Sequence, residues 1–231
     1  MTTPPSSPSP SPWTDPLHPE SERLAEELAA AGRRLAARGH CEATSSNYSA
    51  RLGDGRFLVS KSGVDKHGIG PTDFLRVDGQ GRIVDQPEEH SSASALASAE
   101  TLLHLVVYDT HPPQTAGVVL HIHSVSATVL SMLHAGEGEV RLHGYEMLKA
   151  LAGVTTHEHE ECVPILDNSQ DMPALARSVR SRIAERPGAH GFLLAGHGLY
   201  TWGATVTAAL RHAEAFDFLF SCALRHHEAT S

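Results

Sequence analysis

Apolar residues recur at helical spacing at Leu24, Leu28, Ala31 and Leu35, and Gly39 lies just past the last of them. That spacing lines them up on one stripe and predicts an amphipathic helix with a glycine stop. Residues 48–52 and 56–60 flank Gly53-Asp54-Gly55, which reads as a hairpin. Residues 74–77 and 82–84 flank Asp78-Gly79-Gln80-Gly81, a second turn of the same kind. Leu102, Leu103, Val106 and Val107 predict a helix over residues 98–109, and the β-branched run 117–123 predicts a strand entering a site. Residues 125–133, 144–151 and 173–186 read as helices, and 191–195 as a short apolar strand. Residues 205–224 read as a long amphipathic helix carrying Phe216, Phe218 and Phe220. Residues 1–19 are rich in Pro, Ser and Thr. They cannot bury enough apolar surface to offset chain entropy, so they are expected to form a disordered tail. The remainder, 20–231, shows no repeat and no linker and reads as one α/β domain, a sheet covered by helices.

Composition narrows the function. The chain has 231 residues, 40% of them apolar and 19% charged, which fits a globular protein and excludes full-length disorder or a coiled coil. The net charge of −9 and the lack of a Lys/Arg run argue against a nucleic-acid partner. No apolar stretch approaches the roughly 20 residues of a membrane span, so no membrane partner is expected. The start of the chain has no cationic segment followed by an apolar one, so no signal peptide is expected. Cys41, Cys162 and Cys222 are odd in number and far apart, which points to reduced thiols in a cytoplasm. Histidine is the outlier, with 17 copies.

The strongest local signal is His121-Ile122-His123. On a strand, residues i and i+2 share a face roughly 7 Å apart, so two imidazoles there can lean onto one ion. Zinc takes about four ligands, with nitrogens near 2.0–2.1 Å. The best third ligand is His197, which follows an apolar run and is framed by Gly196 and Gly198. Three neutral imidazoles leave an electrophilic ion with an open position, as a catalytic centre requires. The competing cluster, His157-Glu158-His159-Glu160-Glu161, lacks apolar support and reads as a solvated loop. His226-His227 reads as frayed surface. Glu100 and Glu146 are candidate acid/base groups, and each also fits an ordinary helix-start or solvated role. Ser45-Ser46-Asn47 and Ser60-Lys61-Ser62-Gly63 are polar turns whose amides and hydroxyls suit a phosphate, with Lys61 or Lys66 adding charge.

Taken in order, Ser46-Asn47-Tyr48-Ser49, Ser60-Lys61-Ser62-Gly63, Ser98-Ala99-Glu100, His121-Ile122-His123 and Gly196-His197-Gly198 resemble the class II aldolase/adducin-like family. The resemblance spans residues 22–225. It implies a three-layer α/β/α class II aldolase-like fold with a central, largely antiparallel sheet, assembled as a homotetramer. It implies one Zn2+ per subunit on His121, His123 and His197. Ser98-Ala99-Glu100-Thr101-Leu102-Leu103-His104, residues 144–151 and Gly198-Leu199-Tyr200-Thr201-Trp202-Gly203 resemble the family's dehydratase branch. That branch implies a phosphorylated ketose substrate, 5-methylthioribulose 1-phosphate, dehydrated in methionine salvage with Glu146 as acid/base. In the aldolase branch the acid/base matches Glu100, so both carboxylates stay in view. Asn47, Ser62, Gly63 and Ser98 are then the phosphate-binding residues. The chain departs from the family at Ser46, where the phosphate loop usually has Gly. Two readings compete: a sugar-phosphate aldolase or epimerase, of fuculose-phosphate aldolase or ribulose-phosphate epimerase type, and a non-enzymatic adducin-like binding module.

Overall fold

The structure is a computed structural model that describes residues 19–84 and 97–230. The tail expectation lies outside them, apart from Pro19, which opens the first helix. Five α-helices and eight strands follow among the described residues: α1 (Pro19–Ala36), β1 (Asn47–Arg51), β2 (Phe57–Ser60), β3 (Phe74–Val77), α2 (Thr101–Thr110), β4 (Val118–Ile122), α3 (Val125–Leu133), β5 (Glu139–His143), β6 (Glu160–Leu166), α4 (Met172–Ala184), β7 (Gly191–Leu194), β8 (Gly198–Gly203) and α5 (Val206–Thr230). The strands form one sheet in the order β3-β2-β1-β4-β8-β7-β6-β5. Only β6 and β7 run parallel, and α4 makes that crossover. The sheet is thus largely antiparallel, as expected.

Alternation along the strands builds two cores. Tyr48, Val118, Leu120, Ile122 and Leu199 point to one face, under Leu28 and Leu35 of α1, Leu130 of α3 and Phe216 of α5. Val59, Val119, Phe192, Tyr200 and Trp202 point to the other, under Leu103 and Val107 of α2 and Val179 of α4. With 25 cal/mol per Å² as a working coefficient, burying one such large side chain is worth about 1.5–3 kcal/mol, so both helix layers are bound by area. Among the described residues no helix is long and apolar enough to cross a membrane.

Several expectations shift. The helix expected over 144–151 is a 3-10 turn, Glu146–Ala150, pinned by buried Leu148 and Leu151. Five residues allow too few backbone bonds to sustain an α-helix. Residues 82–84 form a single bridge, Val77 to Ile83, rather than a strand. The expected helix over 98–109 begins at Thr101. His226 and His227 are exposed but helical, inside α5.

In the segment expected to be a solvated loop, residues 157–159 do form an outlying turn, but Glu160 and Glu161 open β6. Glu161 is buried and accepts from the backbone N–H of His190, from its Nδ1 (3.1 Å) and from Nε2 of His159 (2.9 Å). His190 Nε2 faces the Ala152 carbonyl at 2.8 Å. Both ring nitrogens of His190 therefore face acceptors, which is the environment of an imidazolium. Burial works against that charge, but the Glu161 hydrogen bond and field outweigh it and raise the His190 pKa. Burial raises Glu161, yet the same partner holds it below its ordinary value. The His190 contribution is present below its unfolded pKa of 6.5 and lost as pH climbs through the raised folded value. The Glu161 contribution is present above 4.5 and lost as pH falls through the lowered folded value. The pair is thus most stabilising between pH 4.5 and 6.5. Glu161→Gln is expected to cost about 2 kcal/mol in that window. The cost should shrink toward pH 9 in melting curves; a pH-independent loss would show the pair is not ionic.

Candidate metal centre and active site

His121 lies on β4, paired with Asn47 of β1 and Tyr200 of β8. Its side chain takes the same face as Val119, below the start of α2. His123 stands one residue past the strand, where its N–H bonds the His40 carbonyl at 3.0 Å. His197 sits in the turn from β7 to β8. Gly196 there has φ +66, and a Cβ on Gly198 would lie 2.4 Å from the Ile122 carbonyl oxygen. A side chain at either position would strain or push out the turn that aims His197. α3 braces the turn: Thr128 Oγ1 donates to the His197 carbonyl (3.0 Å), and Gly196 N–H donates to Ser131 Oγ (2.9 Å).

These three elements bring the imidazoles together. His121 Nε2 is 2.9 Å from His123 Nε2 and 3.3 Å from His197 Nε2. Nitrogens bound tetrahedrally at 2.0–2.1 Å lie roughly 3.3 Å apart, so the spacing suits one shared ion. His121 Nδ1 donates to the Leu199 carbonyl at 3.0 Å, which leaves the Nε2 lone pair free to ligate. The same ring stacks on Tyr200, with centroids 4.0 Å apart. Burial keeps His121 neutral, well below its ordinary pKa, and burial together with the His197 field lowers His123 to about 4. Neutral imidazole is the ligating form.

Glu100, at the N-cap of α2, adds an oxygen donor. Its Oε1 is 3.1 Å from His197 Nε2 and its Oε2 is 3.5 Å from His121 Nε2. Burial pushes the Glu100 carboxyl up. The His197 hydrogen bond, the His121 and His197 fields and the Asn47 amide outweigh that and hold it well below the usual carboxylate range. The three imidazoles fit a divalent ion of the zinc class, with the Glu100 carboxylate within 3.5 Å of two of them.

Beside the donors opens a cavity of about 160 Å³ that gathers Asn47, Ser62, Gly63 and Ser98 with Glu100, His123 and His197. All four phosphate candidates therefore lie at the histidines. Its far wall is Thr44, Ser45 and Ser46, and Ala43, Thr44 and Ser46 have φ of 53, 63 and 73. Ser46 thus adopts the backbone a glycine favours, and its Oγ is turned away to donate to the His40 carbonyl at 2.8 Å. Lys66 is buried behind this wall, with its ammonium on the Val64 carbonyl at 2.6 Å. Lys61 points to the Thr72 carbonyl. Larger hollows of about 390, 490 and 500 Å³ lie elsewhere and include none of the three histidines.

Glu146 is not in this cluster. His121 stands toward the end of β4 that adjoins Gly198, whereas β5 ends beside the start of β6, at the opposite end of the sheet. β5 is also four strands from β4, roughly 19 Å at about 4.8 Å per strand. Glu146 is exposed and pairs with Lys149 and, at 3.8 Å, with His157. Residues that sequence reasoning passed over include Tyr200 and His104. His104 was visible as the i+4 partner of Glu100, and Tyr200 lies in a glycine-bounded aromatic run that is β8.

Comparison with known proteins agrees with this geometry. The family described as Class II Aldolase and Adducin N-terminal domain matches residues 26–224. Methylthioribulose-1-phosphate dehydratase of Marinobacter nauticus is 47% identical over 200 residues, covering 87% of this chain and 92% of that one. The enzyme of the same name from Pseudomonas aeruginosa PAO1 is 46% identical over 209 residues, covering 90% and 97%. Among solved structures, l-fuculose-1-phosphate aldolase from Thermus thermophilus superposes with a TM-score of 0.69 at 27% identity, covering 91% and 98%. The matched family, these relatives and the shared sheet agree: the chain belongs to the class II aldolase and adducin family.

Proposed function

We propose that the chain dehydrates 5-methylthioribulose 1-phosphate to 5-methylthio-2,3-dioxopentyl phosphate, using one zinc ion per subunit, as a step of methionine salvage in the cytoplasm. The convergence of three Nε2 atoms and the Glu100 carboxylate beside the Asn47/Ser62/Gly63/Ser98 cavity carries the reading. The name shared by the curated relatives supplies the substrate. Free Cys41, Cys162 and Cys222 fit a reducing compartment.

Zinc bound at these donors would supply the Lewis acidity that polarises the C2 carbonyl and acidifies the C3–H bond. The turn amides and hydroxyls hold the phosphate. Glu146 removes the C3 proton, and its electron pair becomes the C3–C4 double bond as the C4–O bond breaks. The hydroxyl, protonated by the same carboxyl, leaves as water. The C3 enol then tautomerises to the diketone. Glu100 is poorly suited to this shuttling, because its partners hold it as an anion.

Since Glu146 lies at the wrong end of its own sheet, it serves the site of another copy. Exposed Val125, Met132 and Leu133 on α3 lie beside the site, with Met132 next to Gly196, and exposed Met147 adjoins Glu146. Joining those unlike patches head to tail generates a ring, and four copies make the tetramer. Contact with a second copy desolvates Glu146, which lifts its pKa from the value that Lys149 depresses.

Purified protein given 5-methylthioribulose 1-phosphate is expected to yield the diketone phosphate with no carbon–carbon cleavage, read by 31P and 13C NMR. Dihydroxyacetone phosphate among the products would instead identify a retro-aldol cut between C3 and C4. That second reading is favoured by the placement of Glu100 against the histidines and by the likeness to the Thermus aldolase. The binding-module reading is disfavoured by the intact donor set.

A further inference from the structure

A chain of buried polar side chains runs inward from Glu100 between α2 and β1. Asn47 Nδ2 is 2.6 Å from Glu100 Oε2, and Asn47 Oδ1 is 2.5 Å from His104 Nε2. His104 Nδ1 is 2.7 Å from Ser49 Oγ, which is 2.7 Å from the Tyr108 hydroxyl. Asn47, Ser49, His104 and Tyr108 are all buried, so water does not compete for these groups. The helix places Glu100 and His104 one turn apart, and the strand places Asn47 and Ser49 on one face.

Chemistry sets the direction of every bond. The Glu100 carboxylate only accepts, so the Asn47 NH2 faces it and the Asn47 oxygen faces inward. His104 Nε2 must then carry a hydrogen. Burial lowers the His104 pKa to about 4, so the ring is neutral and Nδ1 is an acceptor. Ser49 therefore donates to His104 and accepts from Tyr108. Four groups are polarised in series toward one anion, and such series reinforce one another in a dry interior.

We propose that His104 is a positioning residue that, by holding the Asn47 amide in one orientation, fixes the aim of Glu100 at the histidine triad. Without the imidazole donor, the Asn47 oxygen is buried and unpaired and the amide is free to rotate. Rotation puts oxygen against the carboxylate, which repels it and lets Glu100 swing from the metal donors. The inference rests on the reading of the triad with Glu100 as the metal centre.

The test is a zinc competition titration against a chromophoric chelator, using the full chain. His104→Phe keeps the ring volume and removes the donor, and it is expected to weaken zinc binding about 10-fold, the usual scale for partners of metal-bound groups. Asn47→Ala is expected to do the same. Because His104 acts through Asn47, the double variant should lose about 10-fold rather than the 100-fold of independent residues. His104→Gln keeps an N–H donor and should recover affinity to within about 3-fold of wild type. Native affinity in His104→Phe, or additive losses in the double variant, overturns the inference while leaving the metal centre standing. Wild-type protein that takes up no zinc overturns the metal centre itself and the inference with it. If His104→Phe does not fold, Ser49→Ala releases the imidazole from its anchor and enters the same cycle. Its expected loss is about 3-fold, absent once Asn47 is Ala, and an unchanged affinity there counts against the proposal.

Discussion

His123→Ala is expected to lose zinc and activity together, with kcat/KM falling by about 1,000-fold or more. The physical reason is the spacing of the donors. His123 Nε2 stands 2.9 Å from His121 Nε2, one residue past the end of β4. Removing it leaves two of the three imidazoles of the donor group, too few for tight tetrahedral binding. The fold has no stake in His123, which is half-buried and outside both apolar cores. The variant should therefore melt within a few degrees of the metal-free wild type. Elemental analysis beside a turnover assay checks the pairing. Full zinc content with lost activity would relocate the metal, and full activity without zinc would remove metal from the chemistry.

Glu146→Gln has the opposite signature. Zinc content and melting temperature should stay at wild-type levels, because the side chain is exposed and four strands from the triad. Turnover should fall by about 100- to 10,000-fold, the range for loss of a general acid/base. Placement makes a sharper test. Neither Glu146→Gln nor His123→Ala is active alone, but co-refolded subunits pair an intact triad with an intact neighbouring carboxylate. Random assembly at equal ratio should restore about a quarter of wild-type activity in a head-to-tail ring. No recovery would mean that Glu146 serves its own subunit or does no chemistry, and near-normal turnover in Glu146→Gln alone would transfer the role to Glu100.

The sequence made the local parts of the site legible and hid the parts that depend on assembly. His121 and His123 were readable because their i, i+2 spacing on an extended run brings them to one side, although His123 falls one residue past β4. His197 was readable because its flanking glycines mark a tight turn. The phosphate segments were readable as polar turns, and they line the cavity beside His123 and His197. Asn47, read as a phosphate-binding residue, does line that cavity, and its amide also lies between Glu100 and His104. Nothing in a linear pattern reports which way a short amide turns. The start of β6 was misread because Glu161 looks as solvated as exposed Glu160, although His190, 29 residues on, faces buried Glu161 with a matching charge. β8 was overlooked because its apolar residues face two different cores. The distance from Glu146 to the triad follows from strand order, which no local pattern encodes.

The left-handed residues Ala43, Thr44 and Ser46 have a consequence for capture speed. Each such residue costs about 1–2 kcal/mol, and that cost is met once, when the chain folds and Lys66 and His40 lock the wall behind them. An arriving anion then finds its cradle already shaped and forfeits no loop entropy on entry. Association at this wall should accordingly track diffusion and ionic strength, with no slow closing phase in stopped-flow traces.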